Sequence, residues 1–337
     1  MTSLASLRKK INAVEKKIDT CQKFNDLIGY ADERDKLQIL KNQEAAIKES
    51  LKERGTIGWF DSDVSPKEIL NRRKRSATIV GDQAQLPLMA QNNVVFPNVL
   101  LRSALFGIWS PKVSRQALAR EPIACEGGLS IVFSGERLWQ KDFLLMAAVL
   151  RLTSDDLGKP VIISVRQFLK MLGSDDGGSN YESLFDSLRR LSIASVVIRN
   201  EGNEVSFDGL LNYKPINSDQ ARMVELSVDR KWAELFGIAR WSAIEFDKLT
   251  GLDKKKLAVW LAAYLATHDG KKTIALSRLY DASGASTEKR AFRRSLRTAL
   301  EDCVTAGFLL EARLTEGDEV EFCPVRRRRS RRSRRSS

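Results

Sequence analysis

Between Phe96 and Val325 the chain runs twice through one order of elements, and that repetition limits the fold more than any single motif does. In the first pass a Pro-started helix, Val99–Phe106, opens the block. Strands at Gly128–Phe133 and Val161–Ser164 flank a helix predicted over Lys141–Leu152. A short helix, Ser164–Leu172, a GSDDGGS turn and a longer helix, Asn180–Ala194, follow. The pass closes on SVVIRNEGNEVSFDGLL, two alternating runs across a Glu-Gly-Asn turn, which is a hairpin. In the second pass Val224–Val228 and Trp232–Phe236 lead to a helix over Asp253–His268 and a strand at Thr273–Ala275. Then come a helix over Leu276–Asp281, a Ser-Gly turn, the long helix Ser286–Ala306 and the hairpin FLLEARLTEGDEVEFCPV. Helix, strand, helix, turn, longer helix and hairpin is the winged-helix plan. The fold class expected is therefore α+β but mostly helical: two tandem winged-helix domains behind a long coiled-coil-like N-terminal segment.

That segment spans 1–55. Leu4, Leu7, Ile11, Val14, Ile18 and Cys21 step by three and four, as in a coiled-coil seam, and the pattern resumes at Leu37, Leu40, Ile47 and Leu51. It fits a hairpin of helices, a helix packed on its own domain, or a helix paired with a second copy. A linker follows over 56–95, with the basic cluster Arg72-Arg73-Lys74-Arg75 and the short apolar peptide Gln85-Leu86-Pro87-Leu88-Met89. The two blocks are expected over 96–220 and 221–325, and an Arg/Ser tail over 326–337.

The long helix of the second block carries the strongest chemical signal. Phe292, Leu296, Ala299, Leu300 and Cys303 fall on one arc, a buried stripe. Arg290, Arg293, Arg294 and Arg297 share a neighbouring arc in the N-terminal half, where the helix dipole disfavours cations. A solvated basic face and a major-groove reading helix both satisfy this pattern. Lys289 lies nearer the apolar arc, and Lys254, Lys255 and Lys256 open the preceding long helix, where they suit phosphate contact or a solvated start. In the first block Tyr181, Leu184, Phe185, Leu188 and Leu191 bury one face. Glu182 and Asp186 face phosphates badly, and Arg189 and Arg190 come late as candidate backbone contacts. Ser179 is the expected N-cap.

Charge points to a polyanion, with care. The net charge of +13 falls to +5 once the eight arginines of Arg326–Arg335 are left out, so local clustering carries the case. The tail itself suits non-specific, salt-dependent binding of nucleic acid. Four cysteines far apart suggest neither a zinc site nor a disulfide framework. His268, the one histidine, cannot supply the paired histidines of metal-dependent DNA nicking, and is expected to serve as a helix C-terminal dipole partner. No GxxxxGK[ST] loop is present. No enzyme activity, cofactor or metal is expected, and with no membrane span or apolar leader the expected address is cytoplasmic.

FPNVLLRSALF (Phe96–Phe106), LSIVFSGERL (Leu129–Leu138), LGKPVIISVRQFLKMLG (Leu157–Gly173) and SNYESLFDSLRRL (Ser179–Leu191) resemble the TrfA-type plasmid replication initiators, with a weaker match over Leu249–Leu310. The resemblance implies binding of directly repeated origin sites (iterons) in double-stranded DNA. It further implies origin opening with the host initiator and replicative helicase, and copy control through a homodimer in exchange with monomer. Related initiators carry a Gln-Leu-x-Leu-Phe peptide that docks on the host sliding clamp. Gln85, Leu86 and Leu88 match it, and Met89 replaces its aromatic anchor. The resemblance thus implies a plasmid replication initiator. A transcriptional repressor using the same helices and a nucleic-acid packaging or scaffold protein are the alternatives.

Overall fold

The computed structural model describes residues 12–15, 78–80, 83–87, 92–109, 115–126, 128–200, 203–217 and 222–325. The chain divides into two compact units, Met1–Ser65 and Pro66–Ser337. In the first, residues 12–15 are helical. The rest of the expected coiled coil lies outside the described residues, as do Arg72–Arg75, Leu88, Met89 and the Arg/Ser tail.

The second unit starts with strands β1 (Thr78–Val80), β2 (Gln83–Gln85) and β3 (Asn93–Pro97), then α1 (Asn98–Leu101) and β4 (Phe106–Gly107). Next come β5 (Ala117–Ile123), β6 (Ser130–Glu136), β7 (Leu138–Trp139) and α2 (Gln140–Thr153). Strand β8 (Val161–Ser164), α3 (Val165–Met171), α4 (Gly178–Ser192), β9 (Ser195–Asn200) and β10 (Asn203–Asp208) follow. A second hairpin, β11 (Asn212–Asn217) and β12 (Arg222–Ser227), leads to α5 (Lys231–Ile238), β13 (Trp241–Glu245) and α6 (Phe246–Thr250). The chain continues through α7 (Lys256–Leu265), β14 (Lys272–Ala275), α8 (Leu276–Ser283) and α9 (Lys289–Thr305), and ends in the hairpin β15 (Leu309–Leu314) and β16 (Glu319–Pro324).

Two helices are apolar nearly all round, and the unit is built about them. Leu257 through Leu265 of α7 are all buried, and so are Phe143 through Leu150 of α2. A helix with no polar face must be covered on every side. Helix α7 packs on α9, α1 and α2, and α2 packs on β3 and α4. Ladders tie the two blocks together: β13 pairs antiparallel with β3, and β12 with both β11 and β8. The last two pairings join strands on either side of the boundary expected at 220/221.

The chain is mixed α+β, which corrects the expectation of a mostly helical protein made of winged-helix domains behind a coiled coil. Sheets of order β10-β9-β6-β5, β11-β12-β8 and β14-β16-β15 carry much of the chain. No long coiled coil is present among the described residues. Two of the overlooked strands, β5 and β11, lie at sheet edges and lack a buried apolar stripe. Strand β5, ALAREPI, is mostly exposed and bulged between Leu118 and Glu121, with Arg120 at φ +54°. Edge strands commonly carry such bulges, charges and prolines. Strand β11, NYKPIN, holds Pro215 at the edge of its own sheet. The helix expected over Val99–Phe106 ends at Leu101, and Phe106–Gly107 pairs parallel with Leu138–Trp139 instead.

Each long helix follows a shorter one across a left-handed glycine: Gly173 at φ +73° after α3, and Gly284 at φ +62° after α8. A Cβ on Gly284 would stand 2.9 Å from the Cβ of Ala104, so both backbone and space call for glycine there. Helix α4 starts at Gly178 with Gly177 as N-cap, not Ser179. Ser164 caps α3, its hydroxyl accepting from the Gln167 N–H.

Candidate nucleic-acid interface

Helix α9 buries Phe292, Leu296, Ala299, Leu300 and Cys303 against α7 and β15. Burying each of the large side chains contributes about 1.5–3 kcal/mol, which fixes the rotation of the helix about its axis. Arg290, Arg294 and Arg297 are thereby left exposed, and none has a partner among the described residues. Arg293 differs. Its Nε donates to Asp318 Oδ1 at 2.6 Å and its Nη2 to the Thr315 carbonyl at 3.3 Å, in the turn between β15 and β16. Lys289 stands 5.7 Å from the Tyr280 ring, an exposed ammonium beside an aromatic face.

Of the lysines that open α7, Lys255 belongs to the far end of α9. Lys255 Nζ reaches Asp302 Oδ1 at 2.6 Å, twelve residues from Arg290, or about 18 Å along the helix. Lys256 lies 5.4 Å from the Trp139 ring, and Lys254 is exposed. Lys255 is thus held by the fold, at the end of α9 away from Arg290.

Helix α4 presents a different surface. Tyr181 and Phe185 are half-buried beneath the β11–β12 hairpin: the Phe185 and Tyr213 rings are 6.4 Å apart, and the Arg222 guanidinium is 5.4 Å from the Tyr181 ring. Arg189 is exposed and paired with Glu136 at 2.9 Å. Arg190 is only 6% exposed. Its Nε and Nη2 donate to Asp142 Oδ1 at 3.3 and 3.0 Å, and Nη2 also to Ser187 Oγ. The other Asp142 oxygen accepts from Arg115 Nη1 and the Trp139 N–H at 2.9 and 2.8 Å. Arg190 is thus a core residue satisfied by a buried carboxylate, which corrects its assignment to DNA contact.

Residues 85–87 of the Gln85–Met89 peptide are also placed differently from a free linker. Gln85 ends β2, Leu86 is fully buried and its N–H donates to the Ser154 carbonyl at 2.9 Å. Docking of Leu86 on a clamp would require β2 to leave the core.

A polar network that the sequence did not signal joins the blocks. Glu126, between β5 and β6, accepts from Arg278 Nε and Nη2 at 2.6 and 3.0 Å and from the Tyr264 hydroxyl at 2.9 Å. Arg102 donates to Thr267 Oγ1 and its carbonyl at 2.6 and 2.7 Å. Burial pushes the Tyr264 phenol well up and lowers Arg102. His268, packed edge-on against Phe322, is brought down to about 4 by burial first and the Arg102 charge second. A neutral imidazole at neutral pH is not the charged helix-end partner expected of it. Among the described residues no group of three or more His, Cys, Asp or Glu is placed to hold a metal, and no helix is long and apolar enough to cross a membrane.

No family model matches the chain, and no curated protein does. Among solved structures, a selenomethionine crystal structure of domains 2 and 3 of RctB is 14% identical, with a TM-score of 0.44, covering 65% of this chain and 96% of that one. A second structure of RctB domains 2–3 is 14% identical with a TM-score of 0.45, covering 65% of this chain and 95% of that one.

Proposed function

We propose that this chain binds double-stranded DNA sequence-specifically through α9 and acts as a replication initiator at repeated origin sites. The carrying observation is the arc of Arg290, Arg294 and Arg297, exposed on a helix that the glycine turn after α8 sets against the core. Arginine pairs bidentately with guanine O6 and N7 in the major groove, and each good pair discriminates by about 1–3 kcal/mol. Three exposed guanidinium groups near a helix N-terminus, against the dipole, favour an external anion over fold stability as their reason. The resemblance of Phe96–Phe106 and Leu157–Gly173 to the TrfA-type initiators supports origin binding within that class. On the same resemblance the chain works without enzymatic activity of its own, recruits host initiator and helicase, and exchanges between monomer and dimer.

Footprinting the purified full chain on the non-coding DNA around its own gene tests this reading. Protection of a direct repeat with a period of whole helical turns is the expected result. An inverted repeat over the promoter would make the chain a repressor instead. Protection without sequence preference that vanishes when 326–337 is deleted would leave only the packaging alternative.

A further inference from the structure

Building on the assignment of α9 as the groove helix, we propose that its arginines divide into three readers and one positioning residue. Arg293 holds the β15–β16 turn against the helix pair through Asp318, and base contact is left to Arg290, Arg294 and Arg297. Asp318 is the joint. Its carboxylate takes Arg293 Nε at 2.6 Å, while its carbonyl accepts the N–H of Leu276, the first residue of α8, at 2.8 Å. One turn residue thereby touches both α8 and α9. Its φ of +57° is a left-handed conformation that aspartate and asparagine tolerate better than most residues. The turn is closed locally as well: the Thr315 N–H donates to the Glu319 carbonyl at 2.8 Å, and the Glu319 N–H to Thr315 Oγ1 at 3.2 Å.

Arg293 would have to surrender the Asp318 carboxylate and the Thr315 carbonyl before it met a base. Arg290, Arg294 and Arg297 surrender nothing, since none has a partner among the described residues. These three follow an i, i+4, i+7 spacing on one face, a rise of about 10 Å. At 3.4 Å per base pair that spans about three steps of the duplex, so the element read is a run of about four base pairs containing guanine.

The experiment measures affinity and salt slope of the full chain on a duplex carrying its footprinted site. The variants are Arg293→Ala, Arg293→Lys, Asp318→Asn, the Arg293→Ala/Asp318→Asn double, and Arg290→Ala, Arg294→Ala and Arg297→Ala. An exposed positioning pair predicts about threefold loss for Arg293→Ala and for Asp318→Asn, with no further loss in the double. Arg293→Lys, which keeps the ion pair, should bind like the parent, and the salt slope should not move in any of these four. Arg294→Ala should lose about tenfold or more. The division fails if Arg293→Ala loses tenfold or more while Asp318→Asn binds as the parent or tighter, because Arg293 would then be a reader that Asp318 restrains. That result leaves the DNA-binding function standing. If Arg290→Ala, Arg294→Ala and Arg297→Ala all bind like the parent, the groove-helix assignment itself falls and takes the division with it.

Discussion

Helices α4 and α9 occupy the same place in the two blocks but differ in which face stays open. Their buried positions align by spacing: Leu184, Ser187, Leu188 and Leu191 in one, Leu296, Ala299, Leu300 and Cys303 in the other. In that register Tyr181, Glu182 and Phe185 stand where Arg293, Arg294 and Arg297 stand. The β11–β12 hairpin covers Tyr181 and Phe185, whereas Arg294 and Arg297 meet solvent. The strand before each helix pair explains the difference. Strand β8 pairs with β12 and so brings that hairpin beside α4, while β14 pairs with β16 of its own block. A strand partner chosen far along the chain thus decides which helix keeps an open face.

The C-terminal halves repeat the lesson with charges exchanged. Arg190 of α4 pairs with Asp142 near the start of α2, and Asp302 of α9 pairs with Lys255, just before α7. Each ties a long helix to its central helix, but the first is buried, with side chains 8% and 0% exposed, and the second is more open, at 54% and 17%. The largest expected effect follows from that contrast. Arg190→Ala leaves the Asp142 carboxylate short of two donors in the core and should cost about 3 kcal/mol in denaturant unfolding. Arg297→Ala should stay within about 0.5 kcal/mol. Equal stability losses in the two variants would erase the distinction between a structural and a free arginine.

Sequence reading located both helices and rotated α9 correctly, because a stripe at helical spacing is a local signal. The long central helices were legible for the same reason: periodicity placed Lys141–Leu152 where α2 runs Gln140–Thr153. Partners were not legible. Arg190 and Asp142 are 48 residues apart, Arg293 and Asp318 are 25, and Glu126 and Arg278 are 152. An arginine destined for a buried carboxylate and one left in water look alike in a string of letters. Leu86 shows the same gap, since its flanking polar residues suggest a linker while β2 carries it into the core.

A smaller effect on stability but a large one on DNA binding separates the two helix faces. Arg294→Ala and its positional counterpart Glu182→Ala should both leave the melting temperature nearly unchanged. On a footprinted duplex Arg294→Ala should lose about 1–3 kcal/mol of discrimination, and Glu182→Ala should change affinity by less than about twofold. Loss of specific binding in Glu182→Ala at parental stability would show that α4 also meets DNA.

The smallest expected effect concerns Lys254, exposed just before α7. Its neighbour Lys255 is held by Asp302, at the end of α9 opposite Arg290. A duplex whose contacts run from Arg290 to Arg297 stops about 7.5 Å short of Asp302 along the helix. Lys254→Ala should change affinity less than about twofold and leave the logarithmic salt slope unmoved. A lysine that neutralises one phosphate removes about 0.9 from that slope when lost. A drop of that size on Lys254→Ala, with Arg294 intact, would mean that DNA runs along α9 past Arg297 as far as Asp302, and the open face of α9 would then have to be extended to its whole length.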